Sequence, residues 1–210
     1  MTICCISDTH GYKPKNLPIA DVLVHAGDFT ASRIHYHDDA LEFLRWFGAQ
    51  PHRHKILIAG NHDFLPYHDK DSFYINCVAN GISYLQDSAV TISNVKFYGS
   101  PWTPPFFDWA FMQPEHELED TFAQIPLDTD VLITHGPSLG ILDSVPHAGH
   151  VGSYSLADAI EKLLLKAHVF GHIHGNHGEY TENGTQYVNA AIMTESYKPT
   201  QQPVVITIKD

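Results

Sequence analysis

Cysteine and long apolar runs are scarce in this chain. Its three cysteines, Cys4, Cys5 and Cys77, lack the spacing of a disulfide framework, which predicts buried thiols in a reducing compartment. Nowhere do 18 apolar residues run together, and the first residues lack the cationic region of a signal peptide. We therefore expect a cytoplasmic protein without a membrane partner.

Basic side chains are also few, since 12 Lys and Arg face 24 Asp and Glu and give a formal net charge of −12. A protein that holds a nucleic-acid backbone normally presents a basic stripe, and this sequence shows none. We therefore expect no stable nucleic-acid partner, although a small anionic substrate at a locally positive site is compatible with this charge. Histidine, in contrast, is abundant, with 16 residues.

Five short apolar segments are each followed by residues of a metal-binding type. The segments are predicted strands at 3–7, 22–26, 55–59, 130–134 and 168–170. The donors that follow them are Asp8, His10, Asp28, Asn61, His135, His172 and His174. Ligands collect beyond the carboxyl ends of strands in α/β sheets, so we expect these donors to converge in numbers sufficient for two metal ions. Imidazole and carboxylate donors without cysteine suit first-row divalent metals, and we expect Mn²⁺, with Fe, Zn or Co as alternatives.

The order of the predicted elements indicates a mixed α/β sandwich, with helices covering two sheets. Predicted helices cover 38–47, 67–79, 115–123 and a segment from Ser153 or Ser155 to about Lys166. Further strands are predicted at 89–93, 95–99, 178–182, 185–190 and 203–208, the first two as a hairpin around Ser93 and Asn94. The proline-rich or glycine-rich segments 100–112 and 136–152 are predicted to be irregular loops.

The motif order resembles one known family, the calcineurin-like metallophosphoesterases. Their pattern runs Asp-x-His, Gly-Asp, Gly-Asn-His-(Asp/Glu), His and Gly-His-x-His, and it is complete here from residue 8 to 174. Segments 99–104, 134–137 and 149–152 further resemble the small metallophosphoesterase-domain-containing branch, which is similar to cyclic-nucleotide phosphodiesterases. The resemblance implies a single metallophosphoesterase domain over 1–210. It also implies a four-layer α-β-β-α sandwich of two mixed sheets flanked by helices.

The resemblance also implies a ligand set for two ions. By motif position, the ligands of one ion are Asp8, His10, Asp28 and His174. Those of the other are Asp28, Asn61, His135 and His172, so that Asp28 bridges the two. Some animal members have glycine in place of the histidine at 172, and its presence here implies a full two-metal enzyme. Such a metal pair acidifies a bridging water, and the resulting hydroxide attacks phosphorus in line.

Other site residues are predicted around these ligands. His62, beside Asn61, is expected to protonate the leaving oxygen, and Asp63 either orients His62 or fixes the turn. His150 is a candidate contact to the substrate phosphate, and Asn61 is a second substrate contact. Trp102 belongs to an aromatic loop that stacks on the substrate, fills a core gap or forms a dimer contact, and the sequence does not separate these roles.

The substrate class follows from one further comparison with the family. Its protein phosphatases carry Gly-Asp-x-x-Asp-Arg-Gly, whose arginine helps to bind a phosphomonoester dianion. Here 27–33 is Gly-Asp-Phe-Thr-Ala-Ser-Arg, so Arg33 falls one position late. We therefore favour a phosphodiesterase on small substrates, with cyclic nucleotides as leading candidates by resemblance. The alternatives are a phosphomonoesterase or nucleotide pyrophosphohydrolase with the same site, or a non-catalytic scaffold. The protein is expected to be a monomer or a homodimer.

Overall fold

Two β-sheets form the centre of the protein, and the computed structural model describes residues 1–209. In chain order the strands are β1 (Thr2–Ile6), β2 (Val22–Ala26), β3 (His54–Ile58), β4 (Ser83–Tyr84), β5 (Ser88–Ile92), β6 (Val95–Ser100), β7 (Val131–Thr134), β8 (Ser144–Val145), β9 (Gly149–His150), β10 (Ala167–Phe170), β11 (Gly178–Glu182), β12 (Thr185–Asn189) and β13 (Val204–Thr207). The helices are α1 (Tyr36–Gly48), α2 (Phe64–His68), α3 (Lys70–Ala79), α4 (Glu115–Phe122) and α5 (Tyr154–Ile160). Within residues 1–209, no helix is long and apolar enough to cross a membrane.

Each sheet has a parallel centre. The first has the order β13-β1-β2-β3-β4, in which β13 is antiparallel to β1 and the other pairs are parallel. The second has the order β11-β12-β10-β7-β6-β5, with antiparallel pairs at both edges and parallel pairs between them. Parallel neighbours end at the same edge of a sheet. The residues after β1, β2 and β3 therefore share one edge, and those after β7 and β10 share another.

Side chains fill the space between the sheets and cover both outer faces. Alternate strand residues, such as Cys5 of β1 and Val131 of β7, form the core between the sheets. The outer face of the first sheet packs against Phe43 of α1 and Phe73 of α3. The outer face of the second packs against α4 and α5, for example through Leu118. The predicted four-layer α-β-β-α order is therefore confirmed.

The hairpin predicted around Ser93 and Asn94 is present. Strands β5 and β6 pair antiparallel on either side of these two residues. Ser93 and Asn94 have φ angles of 47° and 64°. Positive φ at both positions is what a two-residue turn needs to match the twist of its strands.

The predicted helix from Ser153 or Ser155 to about Lys166 was wrong in its extent. Ser153 is the cap, since its Oγ accepts a hydrogen bond of 3.1 Å from the Leu156 N–H. The helix ends at Ile160. The backbone N–H of Lys166 already donates to the Asp130 carbonyl at 2.8 Å, so the chain must leave the helix to join the second sheet.

Two other segments also differ from the prediction. The predicted helix 67–79 is the end of α2 followed by α3. They are separated by Asp69, whose carboxylate accepts a hydrogen bond of 3.1 Å from the Ser72 N–H and caps α3. The predicted irregular loop 136–152 contains the small hairpin of β8 and β9.

Candidate metal centre

The residues that follow five strands come together where the edges of the two sheets meet. In each of three groups, the donor atoms lie within 4.8 Å of one another. The groups are Asp8, His10 and His174; His10, Asp28 and His62; and Asp28, His135 and His172. Because His10 and Asp28 each belong to two groups, the three form one cluster. Asn61, the remaining predicted ligand, joins it through its Oδ1, which is 2.9 Å from His135 Nε2.

One end of the cluster surrounds the Asp8 carboxylate. His174 Nε2 lies 3.3 Å from Asp8 Oδ1 and 3.3 Å from His10 Nε2. Asp8 Oδ1 is buried and makes no hydrogen bond to any described residue. The other oxygen, Oδ2, accepts a hydrogen bond of 2.9 Å from the His172 N–H. This buried, underused oxygen between imidazole nitrogens is a suitable position for a cation.

The Asp28 carboxylate lies between the two ends of the cluster. Its Oδ2 is 3.8 Å from His10 Nε2, and its Oδ1 is 3.4 Å from His135 Nε2. The same Oδ1 accepts a hydrogen bond of 2.8 Å from the His62 N–H. At the far end, the His135 and His172 ring centroids are 5.0 Å apart. The two oxygens of Asp28 therefore face the two ends of the cluster, one toward His10 and the other toward His135.

Backbone carbonyls orient two of the imidazoles. His135 Nδ1 is 2.9 Å from the Ala26 carbonyl oxygen, and His174 Nδ1 is 3.2 Å from that of Thr194. A carbonyl can only accept, so each Nδ1 carries the proton and donates. In the neutral ring this leaves the Nε2 lone pair facing the cluster, which is the arrangement that metal-binding histidines use.

Several of the predicted ligands have a strained backbone. Asp8, His10, Asp28 and His172 have φ angles of 50°, 41°, 59° and 65°. Positive φ is uncommon for residues other than glycine and costs of order 1–3 kcal/mol each when it is held in place. Four such residues in one cluster indicate that the strands end in turns shaped to aim these side chains.

Glycines beside the carboxylates allow their close approach. A Cβ at Gly171 would lie 2.0 Å from Asp8 Oδ2, and a Cβ at Gly60 would lie 2.3 Å from Asp28 Oδ1. Neither position leaves room for a methyl group unless the carboxylate moves.

We expect Gly171→Ala to weaken metal binding by at least about tenfold, because the added methyl group displaces the Asp8 carboxylate. Titration of the metal-free protein with Mn²⁺ would measure this change. Gly184→Ala is the control, since nothing lies within 4 Å of its Cβ position, and its positive φ of 85° adds a backbone strain that Gly171 lacks. Equal affinity in Gly171→Ala and the wild type would contradict the role given to Asp8.

Burial and charge act in opposite directions on these groups. Burial would raise the pKa of Asp28, but nearby His135 and His62 hold that pKa well below its usual value. For the His135 imidazole, burial alone would lower the pKa. The attraction of the nearby Asp28 carboxylate is stronger than this effect and raises the pKa of His135 to about 9. Burial and the neighbouring His135 lower the pKa of His172 to about 4. A divalent ion that binds here would therefore displace a proton from His135.

The donor set fits divalent metal ions. It combines buried carboxylates, oriented imidazoles and the neutral amide oxygen of Asn61, which suits first-row divalent metals. The structure brings all seven predicted ligands together, and their ligation of metal is a prediction.

The two predicted catalytic residues have different settings: His62 belongs to the cluster, whereas Asp63 lies outside its three donor groups. His62 Nε2 is 3.9 Å from Asp28 Oδ2, and its side chain is 21% exposed. The buried Asp63 carboxylate instead accepts backbone hydrogen bonds of 2.8 Å from Asp28, 3.0 Å from Thr30 and 2.8 Å from Gly60. These contacts fix the turn that carries Asp28, which is one of the two roles considered for Asp63. A catalytic role for either residue is a prediction that these contacts do not test.

Two of the predicted substrate contacts lie outside the lining of the cavity that borders the cluster. Trp102 Nε1 donates to Asp87 Oδ2 at 2.8 Å, and its ring packs edge-on against Phe111. His150 Nδ1 is 2.6 Å from Asp143 Oδ1, and the His150 side chain is 61% exposed. Their contact with substrate stays a prediction, and Asn61, the third, lies in the cluster itself.

One residue of the predicted aromatic loop lies at the site, and sequence reasoning missed a second aromatic residue there. Trp109 of that loop stacks on His62, with ring centroids 4.2 Å apart. Tyr197 lies 5.0 Å from His10 and 5.1 Å from His174 between ring centroids. No motif marks Tyr197 in the sequence.

Comparisons with known proteins agree with this geometry. The family model of the calcineurin-like phosphoesterases matches residues 1–176. Metallophosphoesterase domain-containing protein 1 of Homo sapiens is 37% identical in a match that covers 97% of this chain and 70% of the human protein. A Caenorhabditis elegans relative is 32% identical, with coverage of 99% and 75%.

A solved structure from Thermus thermophilus shares the fold, with a TM-score of 0.63 and 13% identity over 90% of this chain and 88% of that chain. The family model spans most of the residues and all of the donor cluster. The relatives match nearly the whole chain at 30% identity or more. The chain therefore belongs to the calcineurin-like phosphoesterase family.

Proposed function

We propose that this protein is a two-metal phosphodiesterase that hydrolyses small phosphodiesters, with cyclic nucleotides as the leading candidates. The observation that carries the proposal is the single cluster in which Asp28 lies between two sets of nitrogen and oxygen donors. The cluster borders a cavity of about 640 Å³, which is large enough for a small ester. We further propose a cytoplasmic location and no stable nucleic-acid or membrane partner.

The residues proposed to hold the two ions are Asp8, His10, Asp28 and His174 for one, and Asp28, Asn61, His135 and His172 for the other. Mn²⁺ is the proposed metal, with Fe, Zn or Co as alternatives. When bound, the ions would supply an acidified water and positive charge opposite the phosphate oxygens. The contribution of the chain is to aim the donors, through the carbonyls that hold the imidazoles and the strained turns that hold the carboxylates.

His62 is the proposed proton donor to the leaving oxygen. It lines the cavity, and its side chain is more exposed than that of Asp28, at 21% against 3%. Trp109 stacks against one face of the His62 ring and limits its rotation. An oriented imidazole at the mouth of the site has the position that general acid catalysis requires.

The position of Arg33 supports a diester over a monoester substrate. Its Nη2 atom is 3.1 Å from Asp108 Oδ2. The guanidinium group lies over the Phe64 ring, with Cζ 4.9 Å from the ring centroid. Among the described residues that line the cavity, none is lysine or arginine. A phosphomonoester dianion carries one more charge than a diester, and the described lining offers no lysine or arginine to bind it.

The proposal predicts a preference between two chromogenic esters. With Mn²⁺ added, we expect kcat/KM for bis-(p-nitrophenyl) phosphate to exceed that for p-nitrophenyl phosphate by about tenfold or more, an advantage of about 1.4 kcal/mol. Steady-state kinetics on the same preparation would measure both. A strong preference for the monoester would favour the phosphomonoesterase alternative.

A further inference from the structure

The lining of the cavity beside the metal cluster is polar in part and apolar in part. The donor cluster supplies the polar part. Apolar residues come from two separate segments, which we call the two apolar walls: the aromatic loop 104–109 with Phe106 and Trp109, and the β8–β9 hairpin with Val145 and Ala148. A substrate phosphate bound at the cluster would therefore place one of its alcohol groups in a cavity that both walls line.

Both walls are held in position by contacts outside the cavity. The backbone N–H of Phe106 donates to Met112 Sδ at 3.1 Å. At the base of the hairpin, the Asp143 carboxylate accepts hydrogen bonds of 2.9 Å from Gly140 and 3.0 Å from Gly152. Apolar walls that are already formed bind a ligand without the entropy cost of ordering loops.

The charges around the cavity are unfavourable for a second phosphate group. Besides the donor cluster, the charged residue on its lining is Glu195, a carboxylate. The described lining contains no lysine or arginine. A nucleoside diphosphate or pyrophosphate would bring its extra negative charge to a surface that is either apolar or acidic, which is unfavourable.

We propose that this cavity is a subsite for an uncharged apolar group, so that the preferred substrate is a single-phosphate diester whose alcohol carries an uncharged aromatic or alkyl group, a class that includes cyclic nucleotides through their base. The inference rests on the proposed function and narrows its substrate class. An apolar cavity of about 150 Å³ is sufficient for a benzene ring in another protein. The 640 Å³ found here has room for an aryl group and the phosphate.

A series of p-nitrophenyl esters tests this subsite. Methyl, butyl and phenyl p-nitrophenyl phosphate share one leaving group and differ in the retained alcohol. In each, water adds to phosphorus, the bond to p-nitrophenolate breaks, and the methyl, butyl or phenyl phosphate is released. We expect kcat/KM to rise about tenfold from methyl to phenyl, mainly through KM, because only the larger groups bury apolar area.

Phe106→Ala should reduce this discrimination to about threefold or less, and Phe106→Leu should restore most of it. Phe106 is 56% exposed, so its truncation is not expected to unfold the protein. Leu164→Ala is the matched control, because Leu164 is 92% exposed and lies outside the cavity lining.

A binding measurement provides a readout without turnover. The uncharged probe 4-nitrobenzyl alcohol should quench tryptophan fluorescence of the metal-free protein saturably, through Trp109, and at least threefold more weakly in Phe106→Ala. If all three esters react at equal rates and the quenching is the same in both proteins, the proposed apolar subsite is contradicted, whereas the proposed phosphodiesterase activity is not. If no ester reacts but the probe binds as expected, the proposed function fails and the apolar site remains.

Discussion

His62→Ala should retain both metal ions and lose turnover by about 10²–10⁴-fold on a diester with an alkyl leaving group. The imidazole lies at the edge of the cluster, where its Nε2 is 3.9 Å from Asp28 Oδ2 and faces the cavity. Its removal leaves the seven proposed ligands in place. The departing alkoxide then has no proton donor, which raises the barrier of the chemical step.

The leaving group makes this test specific. p-Nitrophenolate departs without a proton, so the loss for a p-nitrophenyl ester should be at least tenfold smaller than for a cyclic nucleotide. Metal analysis and kinetics on both substrates would be compared with His116→Ala, a histidine whose side chain is 80% exposed on α4. If His62→Ala lost the same factor of turnover on both substrates, or kept wild-type rates, His62 would not be the general acid.

Asp28→Asn should reduce bound metal from two ions to one or none and lower kcat by about 10³ or more. This loss corresponds to roughly 4 kcal/mol of transition-state stabilisation. The substitution keeps an oxygen that can accept the His62 N–H but removes the charge that His10 and His135 face. Because Asp28 belongs to two of the donor groups and to the proposed ligand sets of both ions, its substitution affects both proposed metal sites at once.

Asp143→Asn is the control for the loss of a buried carboxylate. Asp143 is 1% exposed and ties the base of the β8–β9 hairpin, away from the donor groups. It should bind two ions like the wild type, as measured by metal analysis after dialysis. Two tightly bound ions in Asp28→Asn would contradict the shared position of this carboxylate.

The cluster could be predicted from the sequence because each donor follows an apolar strand directly. The hydrophobic pattern of the neighbouring residues predicts where each strand ends, and parallel strands end at the same edge of a sheet. The positions of Asp8 and Asp28 at that edge could therefore be predicted without knowledge of contacts between distant segments. The same holds for the β5–β6 hairpin, since Ser93 and Asn94 lie between two segments of period two.

Contacts between distant segments could not be predicted in this way. The Ala26 carbonyl that orients His135 is 109 residues away in the chain, and nothing local marks it. The stacking of Trp109 on His62 depends on how an irregular loop folds back over the site. Helix α5 stops early because Lys166 bonds to Asp130, which is again a tertiary contact that overrides helix propensity.

The division of the donors between two sheets has a consequence for synthesis on the ribosome. Asp8, Asp28 and Asn61 follow strands of the first sheet, while His135 and His172 follow strands of the second. A nascent chain that ends before residue 172 therefore holds neither proposed ligand set complete. Loading of the two proposed sites would therefore come after the second sheet has docked, and ions bound there would join the early and late halves of the polypeptide.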